Sequence, residues 1–453
     1  MYKVLIRPLE IADAEISWEW RNNPKVWELT ESKPSIEITY EIEKKWIEKV
    51  INDENSKRFA ILVDDIYVGN IQLTNIQIGK SAEYHIFIGN TNYWGKGIAR
   101  LASLQLIRYA RVLLKIKKIV LFVNSNHKSA IRLYESCNFS VVSNDDKIKM
   151  ELDLEKSLKP KVSIFVMIFN HENFISSSID GFLNQKCNFD YDIVIGEDCS
   201  NDNSRKILLD YQNRFPGKFK LLLHSTNIGA CKNQIEVLNN CSGEYVALCE
   251  GDDYWTDPFK LQKQVDFLEA HPDYVLCFHK VKILKPNGEL VEDFITKVPE
   301  NYENQETLAR LGNYIHTPSV VFRNVIKEFP PEFSLSPIGD FFLYMLLAEQ
   351  GKLKYIDEEM AVYRYGVGVH STHTQIKMAK ANFKLFTLLL SYFNNPKINH
   401  ILLDRQLNAF DNFEYLVRSE YQEAFISHHI FFKALQSLKH PSKFWRKIKN
   451  KFN

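Results

Sequence analysis

The chain has 453 residues and a mass of 53.0 kDa, which at roughly 150 residues per domain means about three folding units, or two of unequal size with an appended tail. With 45% apolar residues, 13% aromatics, 17 Gly and 15 Pro, it is neither disordered nor collagenous. Lysine plus arginine (57) against aspartate plus glutamate (56) leaves a formal charge of +1, so no overall attraction to nucleic acid is expected. The seven cysteines are odd in number and never spaced C-x-x-C, which argues against a zinc site or a secreted disulfide framework and fits a reducing compartment. Residues 1–7 lack a signal-peptide pattern, and no apolar run approaches the ~18–20 residues of a membrane span. The expectation is a cytoplasmic protein.

In chain order, a strand is predicted over 2–7, a helix over 11–21 broken at Asn22-Asn23-Pro24, a hairpin from 59–63 and 67–73 around Asp64-Asp65, and a strand over 83–88. A helix over 98–114, a strand over 118–123, a helix over 128–137 and a strand over 147–154 complete an α/β or α+β unit, 1–155. The charged, Pro-bearing stretch 156–161 reads as a linker. From 162 strands and helices alternate: 162–169, 174–183, 191–196, 204–211, 218–223, 230–239 and 245–248, with a helix opened by Pro258. That is the pattern of a parallel sheet with crossover helices, assigned to 162–374. Residues 375–453 read as helices broken at Pro396 and Pro441.

The stretch Asn92-Tyr93-Trp94-Gly95-Lys96-Gly97-Ile98-Ala99 joins a strand to a helix. Its glycines let successive backbone N–H groups converge at a helix amino terminus, a geometry suited to a pyrophosphate. A plain strand-to-helix turn has the same local pattern. Together with Arg7-Pro8-Leu9, and Asn124-Ser125-Asn126 followed by Ala130, Leu133, Tyr134 and Phe139, it makes residues 1–154 resemble the GNAT acetyltransferases of the branch that acetylates amino sugars and protein amino termini. The resemblance implies a mixed-sheet domain using acetyl-CoA, with Gly95, Lys96, Gly97 and Ile98 on the coenzyme pyrophosphate and Asn126 in the cofactor site. Asn92 departs from the usual Gln or Arg. The resemblance also makes Tyr134 the acid for the leaving thiolate. Glu83 and His85 share a strand face, so either is a candidate base, with Glu83 chosen. A packed helix aromatic and a solvated strand end are the bland alternatives.

Two acidic turns follow strands in the second half. One is Glu197-Asp198-Cys199-Ser200-Asn201-Asp202; the other is Glu250-Gly251-Asp252-Asp253. Ligands of open parallel sheets sit beyond the carboxyl ends of strands, and dense carboxylates suit Mg²⁺ or Mn²⁺ on a diphosphate. With Phe182-Leu183-Asn184-Gln185, Asn227-Ile228-Gly229 and Gly243-Glu244-Tyr245, residues 160–372 resemble the family 2 glycosyltransferases of GT-A, Rossmann-like fold. The resemblance implies a nucleotide-diphospho-sugar donor held by Asn170, Glu172, Asp198 and Asp252. It implies a metal held at Glu250, Asp252 and Asp253, completed by His370, and Asp340 as the base for inverting transfer. The alternative for Asp340 is an N-cap role.

From Lys439 onward six basic residues and no acid interleave with Phe444, Trp445, Ile448 and Phe452. Such a stretch suits the headgroups of an anionic membrane, giving peripheral contact at the cytoplasmic face; a terminal helix docking on the protein is the alternative. The combined reading is a bifunctional enzyme of surface polysaccharide or glycoconjugate assembly. It would N-acetylate an amino sugar and transfer a sugar to a glycan acceptor, free or lipid-linked. The alternatives are a glycosyltransferase with a non-catalytic, acyl-CoA-binding scaffold module, and a protein acetyltransferase with a degenerate glycosyltransferase half.

Overall fold

The computed structural model describes residues 1–30, 33–144, 147–156, 159–368 and 374–420. The basic, aromatic stretch from Lys439 onward, and His370, lie outside the described residues. The chain divides into two compact units, Met1–Phe329 with Leu343–Gly368, and Pro330–Phe342 with Val369–Asn453.

The first unit holds two sheets. The amino-terminal one uses β1 (Val4–Pro8), β2 (Lys57–Val63), β3 (Ile66–Gln77), β4 (Ser81–Ile88), β5 (Lys118–Val123), β6 (Ser140–Asn144) and β7 (Ile148–Asp153) in the order β1-β2-β3-β4-β5-β7-β6. All its neighbours are antiparallel except β4 and β5. Alternation sorts the strand residues into two cores. Val4, Ile6, Phe59 and Ile61 pack with the helix α4 (Ile98–Val112), while Leu5, Ala60 and Leu62 join a different cluster. The helices α1 (Ala14–Asn22), α2 (Pro24–Thr30) and α3 (Tyr40–Ile51) precede β2, and α5 (Lys128–Ser136) follows β5. No helix is predicted from the sequence over α2 or α3, and no strand over β6. In α3 only Glu43 and Ile47 are buried, so its apolar stripe is narrow and its charges mask the helical period.

The second sheet has nine strands. β8 (Val162–Ile168), β9 (Tyr191–Glu197), β10 (Phe219–Leu223) and β11 (Tyr245–Leu248) run parallel, with α6 (Ile175–Leu183), α7 (Ser204–Arg214) and α8 (Ala230–Asn240) between them. This is the half with the alternating sequence pattern. Beyond β11 the sheet is mixed, not parallel. After β12 (Tyr254–Trp255), α9 (Lys260–Ala270), β13 (Tyr274–Leu284), β14 (Leu290–Glu292) and α10 (Gln305–Leu311), β15 (Val321–Arg323) lies antiparallel between β11 and β13. The last strand of this sheet, β16 (Lys352–Arg364), pairs parallel with β13 and antiparallel with β12. Pro258 lies in a turn, and α9 begins two residues later than predicted.

The amino-terminal sheet keeps one core of its own with α4, and a second core is shared between the two sheets. One cluster contains Leu5, Trp20 and Leu62 together with Val162, Phe182 and Tyr191. Tyr2 forms a bridge with Cys187, and Lys186 pairs with Asp64 at 3.1 Å. From α4, the buried Arg108 donates to the Gly217 carbonyl at 2.6 Å and pairs with Asp190, with Asp192 at 4.0 Å. Lys218, buried beside this group, is brought down to about 8 by desolvation, against the pull of Asp190. At Gly217 (φ +84°) a Cβ would collide with the Gln105 carbonyl of α4, so the backbones meet directly there. Isolated charges such as Arg108 and Asp190, 82 positions apart, leave no local periodicity from which this docking can be read.

The second unit contains α11 (Pro331–Leu335), the start of α12 (Gly339–Gln350), α13 (Gln375–Tyr392) and α14 (Pro396–Glu420). Phe342 packs between Phe333 and Tyr392, and Phe383 meets Phe410 across α13 and α14. Among the described residues no helix is long and apolar enough to cross a membrane.

Candidate functional sites

At the carboxyl ends of β8 and β9 two loops are knitted together. Asn170, in the left-handed region at φ 57°, donates its N–H to Ser200 Oγ at 3.0 Å, and its Oδ1 accepts the Asn201 N–H at 2.9 Å. The Glu172 carboxylate accepts the backbone N–H and the side-chain amide of Asn203 at 3.0 and 2.8 Å, and Asp202 accepts the Glu172 N–H at 3.0 Å. Asp198 is buried; its two oxygens take the N–H groups of Ile228 and Gly229 at 2.7 and 3.0 Å. Three of the four nucleotide-site candidates therefore shape the loops around the strand ends.

The fourth, Asp252, belongs to the turn after β11. Gly251 is packed so closely that a Cβ would collide with Ile168 and His171. Its N–H donates to the Met167 carbonyl at 3.2 Å, and its own carbonyl accepts the Ser178 hydroxyl at 2.9 Å. This anchoring holds Asp252 and Asp253 inside, at 4% and 1% exposure. Asp253 Oδ1 accepts the Arg364 N–H at 2.8 Å. Asp252 Oδ1 and Asp253 Oδ2 are buried without a hydrogen-bond partner, as is His171 Nδ1. Burial, then the neighbouring Asp252 carboxylate, pushes the Asp253 carboxyl well above its ordinary range. Burial lowers the His171 imidazole, although Asp252 and Asp202 pull the other way. The Arg364 guanidinium lies over Tyr254 and Phe174, and donates to the Asp252 carbonyl and to Ser177 Oγ.

These uncompensated oxygens fit a cation. Among the described residues no three His, Cys, Asp or Glu side chains form a metal cage. Mg²⁺, however, is commonly held by one or two carboxylates with water and substrate phosphates supplying the rest. Asp252 and Asp253 would be its protein ligands, with Glu250 at the start of the same turn. Asp340 stands in the first turn of α12, in the second unit. His171 and Arg364 are not singled out by the sequence reading. The position of His171 just past β8, at a strand end, is the signal that marks it; nothing local marks Arg364.

The other candidate site lies at the head of α4. Gly95 and Gly97 have φ +71° and +77°, and Gly97 is the N-cap. A Cβ at either would enter open space, so the left-handed backbone, and not crowding, selects glycine. The amides of this turn at the helix amino terminus fit a pyrophosphate. Lys96 folds back over the rings of Tyr2 and Tyr93, at 5.7 and 5.5 Å. Asn126 closes a turn, donating its N–H to Asn124 Oδ1 at 2.9 Å.

Pairing of β4 with β5 ends at Glu83↔Val120, which leaves the carboxyl half of β4 unpaired on that side. Glu83 and His85 project from one face, with Glu83 Oε1 and His85 Nε2 3.4 Å apart. Thr74 Oγ1 lies 3.0 Å from the same nitrogen, and Asn75 donates to Glu83 at 2.8 Å. Burial lowers the His85 pKa more than Glu83 raises it, favouring neutral imidazole. Tyr84 projects from the opposite face and packs edge-on against Tyr134, ring centres 5.9 Å apart. Desolvation, and then Cys137, raise the Tyr134 phenol to about 12. The candidate base and the ring of the candidate acid thus lie on opposite faces of β4.

Comparison with known proteins matches these two regions separately. A model of the acetyltransferase (GNAT) domain matches residues 3–140, and a model of glycosyl transferase family 2 matches residues 163–329. Two transferase domain models thus match the chain in tandem. It is similar to an uncharacterized protein of Mycobacterium tuberculosis, 37% identical over 217 residues, covering 47% of this chain and 62% of that protein. It is similar to an uncharacterized glycosyltransferase of Nostoc sp., 27% identical over 230 residues, covering 49% and 68%. The amino-terminal part is similar to the acetyltransferase PseH of Campylobacter jejuni, 26% identical over 137 residues, covering 30% of this chain and 83% of PseH.

Proposed function

We propose that the chain is a bifunctional enzyme of surface glycan assembly, which N-acetylates an amino sugar and transfers a sugar from a nucleotide-diphospho donor to a glycan acceptor. The observation that carries the reading is the pair of buried, unpartnered carboxylate oxygens of Asp252 and Asp253 at a parallel strand end. A bare carboxylate cluster is costly to bury, and a cation with a diphosphate removes that cost. When bound, the cation neutralises charge on the departing nucleotide. Asp252 and Asp253 hold the site, Arg364 orders their turn, and the loops knitted by Asn170, Glu172 and Asp198 shape the pocket for the nucleoside. Asp340 takes the proton of the acceptor hydroxyl.

In the amino-terminal domain the amides of Gly95 to Ile98 orient acetyl-CoA. Glu83, with His85 beside it, accepts the proton of the acceptor ammonium. Tyr134 returns a proton to the departing sulfur, and its raised pKa keeps it protonated until then. The test is to incubate the full chain with acetyl-CoA and a panel of amino-sugar nucleotides and acceptors, with and without EDTA, and to weigh the products by mass spectrometry. The reading expects a mass gain of one acetyl group on the sugar nucleotide, and EDTA-sensitive glycosyl transfer. Transfer indifferent to EDTA removes the metal; absence of both products removes the reading.

A further inference from the structure

The geometry points to a shared cofactor site: a cavity between α4 and the base of the glycosyltransferase sheet receives the 3′-phosphate end of coenzyme A, so that the second domain supplies cations to the first domain's cosubstrate. This rests on the reading of residues 93–98 as the coenzyme A loop. The cavity, about 830 Å³, is walled on one side by Arg100 and Leu104 in the first two turns of α4. The other wall is the amino-terminal rim of the second sheet, where Lys161, Asp190 and Glu244 precede β8, β9 and β11. That rim is opposite the one bearing Asp252, so the cavity is no part of the donor site.

Five cations line it, Arg100, Lys159, Lys161, Arg323 and Lys327, against two carboxylates. Both carboxylates are already engaged, Asp190 by Arg108 and Glu244 by Lys161 at 2.8 Å; Lys161 is also paired with Glu269, so the cations left to a ligand are Arg100, Lys159, Arg323 and Lys327. Arg323 donates to carbonyls of Tyr274 and Leu268 and to the Tyr245 hydroxyl, which leaves its charge uncompensated. Arg100, Lys159 and Lys327 have no carboxylate within ion-pair distance among the described residues. Like charges converging on a half-enclosed space call for an anionic ligand.

A second observation says which anion. The coenzyme A loop abuts the other domain through Tyr2: Tyr93 packs against Tyr2 with ring centres 6.1 Å apart, Lys96 lies over the same ring, and Tyr2 itself bridges to Cys187. Arg100 follows Gly97 by three residues, in the turn whose amides face the pyrophosphate. A ligand anchored there carries a phosphate monoester on its nucleoside end, and a monoester holds a charge near −2 at neutral pH. It is the group that an Arg-and-Lys-lined cavity binds best.

The test is calorimetric titration of the full chain with coenzyme A and with dephospho-coenzyme A at one ionic strength, in wild type and in K159M/K327M, with R100M as a second variant and melting temperature as the folding control. Charge-assisted contacts to the monoester should make coenzyme A bind about tenfold tighter than the dephospho form. The variants should bring the ratio toward one by weakening coenzyme A alone, and adenosine 3′,5′-bisphosphate should compete. Equal binding of the two coenzymes by wild type, or a ratio unchanged in folded variants, overturns the inference and leaves the acetyl-CoA reading standing. Inorganic phosphate competing as well as the bisphosphate overturns it too, by showing a generic anion hole. Failure of both coenzymes to bind overturns the inference and the acetyl-CoA reading together.

Discussion

The turn at 250–253 and the loop at 95–98 both face diphosphates in the proposed chemistry, and they are built on opposite principles. The first buries two side-chain carboxylates and leaves Asp252 Oδ1 and Asp253 Oδ2 unmatched, so it has affinity for a phosphate only through a cation. The second exposes backbone amides on left-handed glycines at a helix start and needs no intermediary. One site depends on particular side chains, the other on φ. Substitutions should therefore act on them through different variables.

The sharpest way to break the comparison is to separate the two domains that carry the sites. Arg108→Met leaves Asp190 and Asp192 buried without their guanidinium, and removing one partner of a buried pair costs about 3–5 kcal/mol. We expect the largest drop in melting temperature here, with both activities falling together on heating. A variant that melts as wild type does would show that the pair contributes nothing net. Asp252→Asn should lower glycosyl transfer on the order of 10²–10³-fold, the range for loss of one transition-state electrostatic group. Acetyl-transfer kcat/KM should be untouched in the same protein, and a parallel loss of both would sink the two-site reading.

Gly97→Ala tests the other principle. A Cβ in the left-handed region costs about 1–2 kcal/mol, so the KM for acetyl-CoA should rise roughly tenfold while glycosyl transfer stays put. If the substitution is silent, φ is not what the loop needs. The smallest effect concerns His85. Burial depresses its pKa below the ordinary value of about 6.5, so the imidazole stays neutral until the pH falls through that lower value. A depressed histidine contributes stability that is present above the unfolded pKa and is lost on acidification. NMR titration of the His85 ring should place its midpoint below 6.5, and Glu83→Gln, by removing the carboxylate that raises it, should move the midpoint lower still.

The same contrast explains what the sequence reveals. β8 to β11 alternate with helices and end in acids, so the parallel half of the second sheet and the turn at 250–253 are legible from periodicity and strand-end logic. The glycine loop is legible only together with Arg7-Pro8-Leu9 and Asn124-Ser125-Asn126, since alone it has the pattern of a plain strand-to-helix turn. Features made by distant pairing are not legible. Arg364 reaches the acid turn across 111 positions, and β15 enters the sheet antiparallel through only three residues. The helix α3 hides because charged residues occupy most of its turns, and the docking of α4 on Asp190 hides because a single buried arginine looks like any other.

The meeting of Gly217 with the Gln105 carbonyl has a consequence for how such a chain can change over generations. A seam made of side chains can be renegotiated one residue at a time, but here the space for any side chain has been given up on one side. A gene exchange that replaced the glycosyltransferase half with a relative bearing alanine at this position would wedge the halves apart and strand the charges beneath. The two halves are expected to be inherited as a matched set, and a transplanted half would need its own counterpart to travel with it.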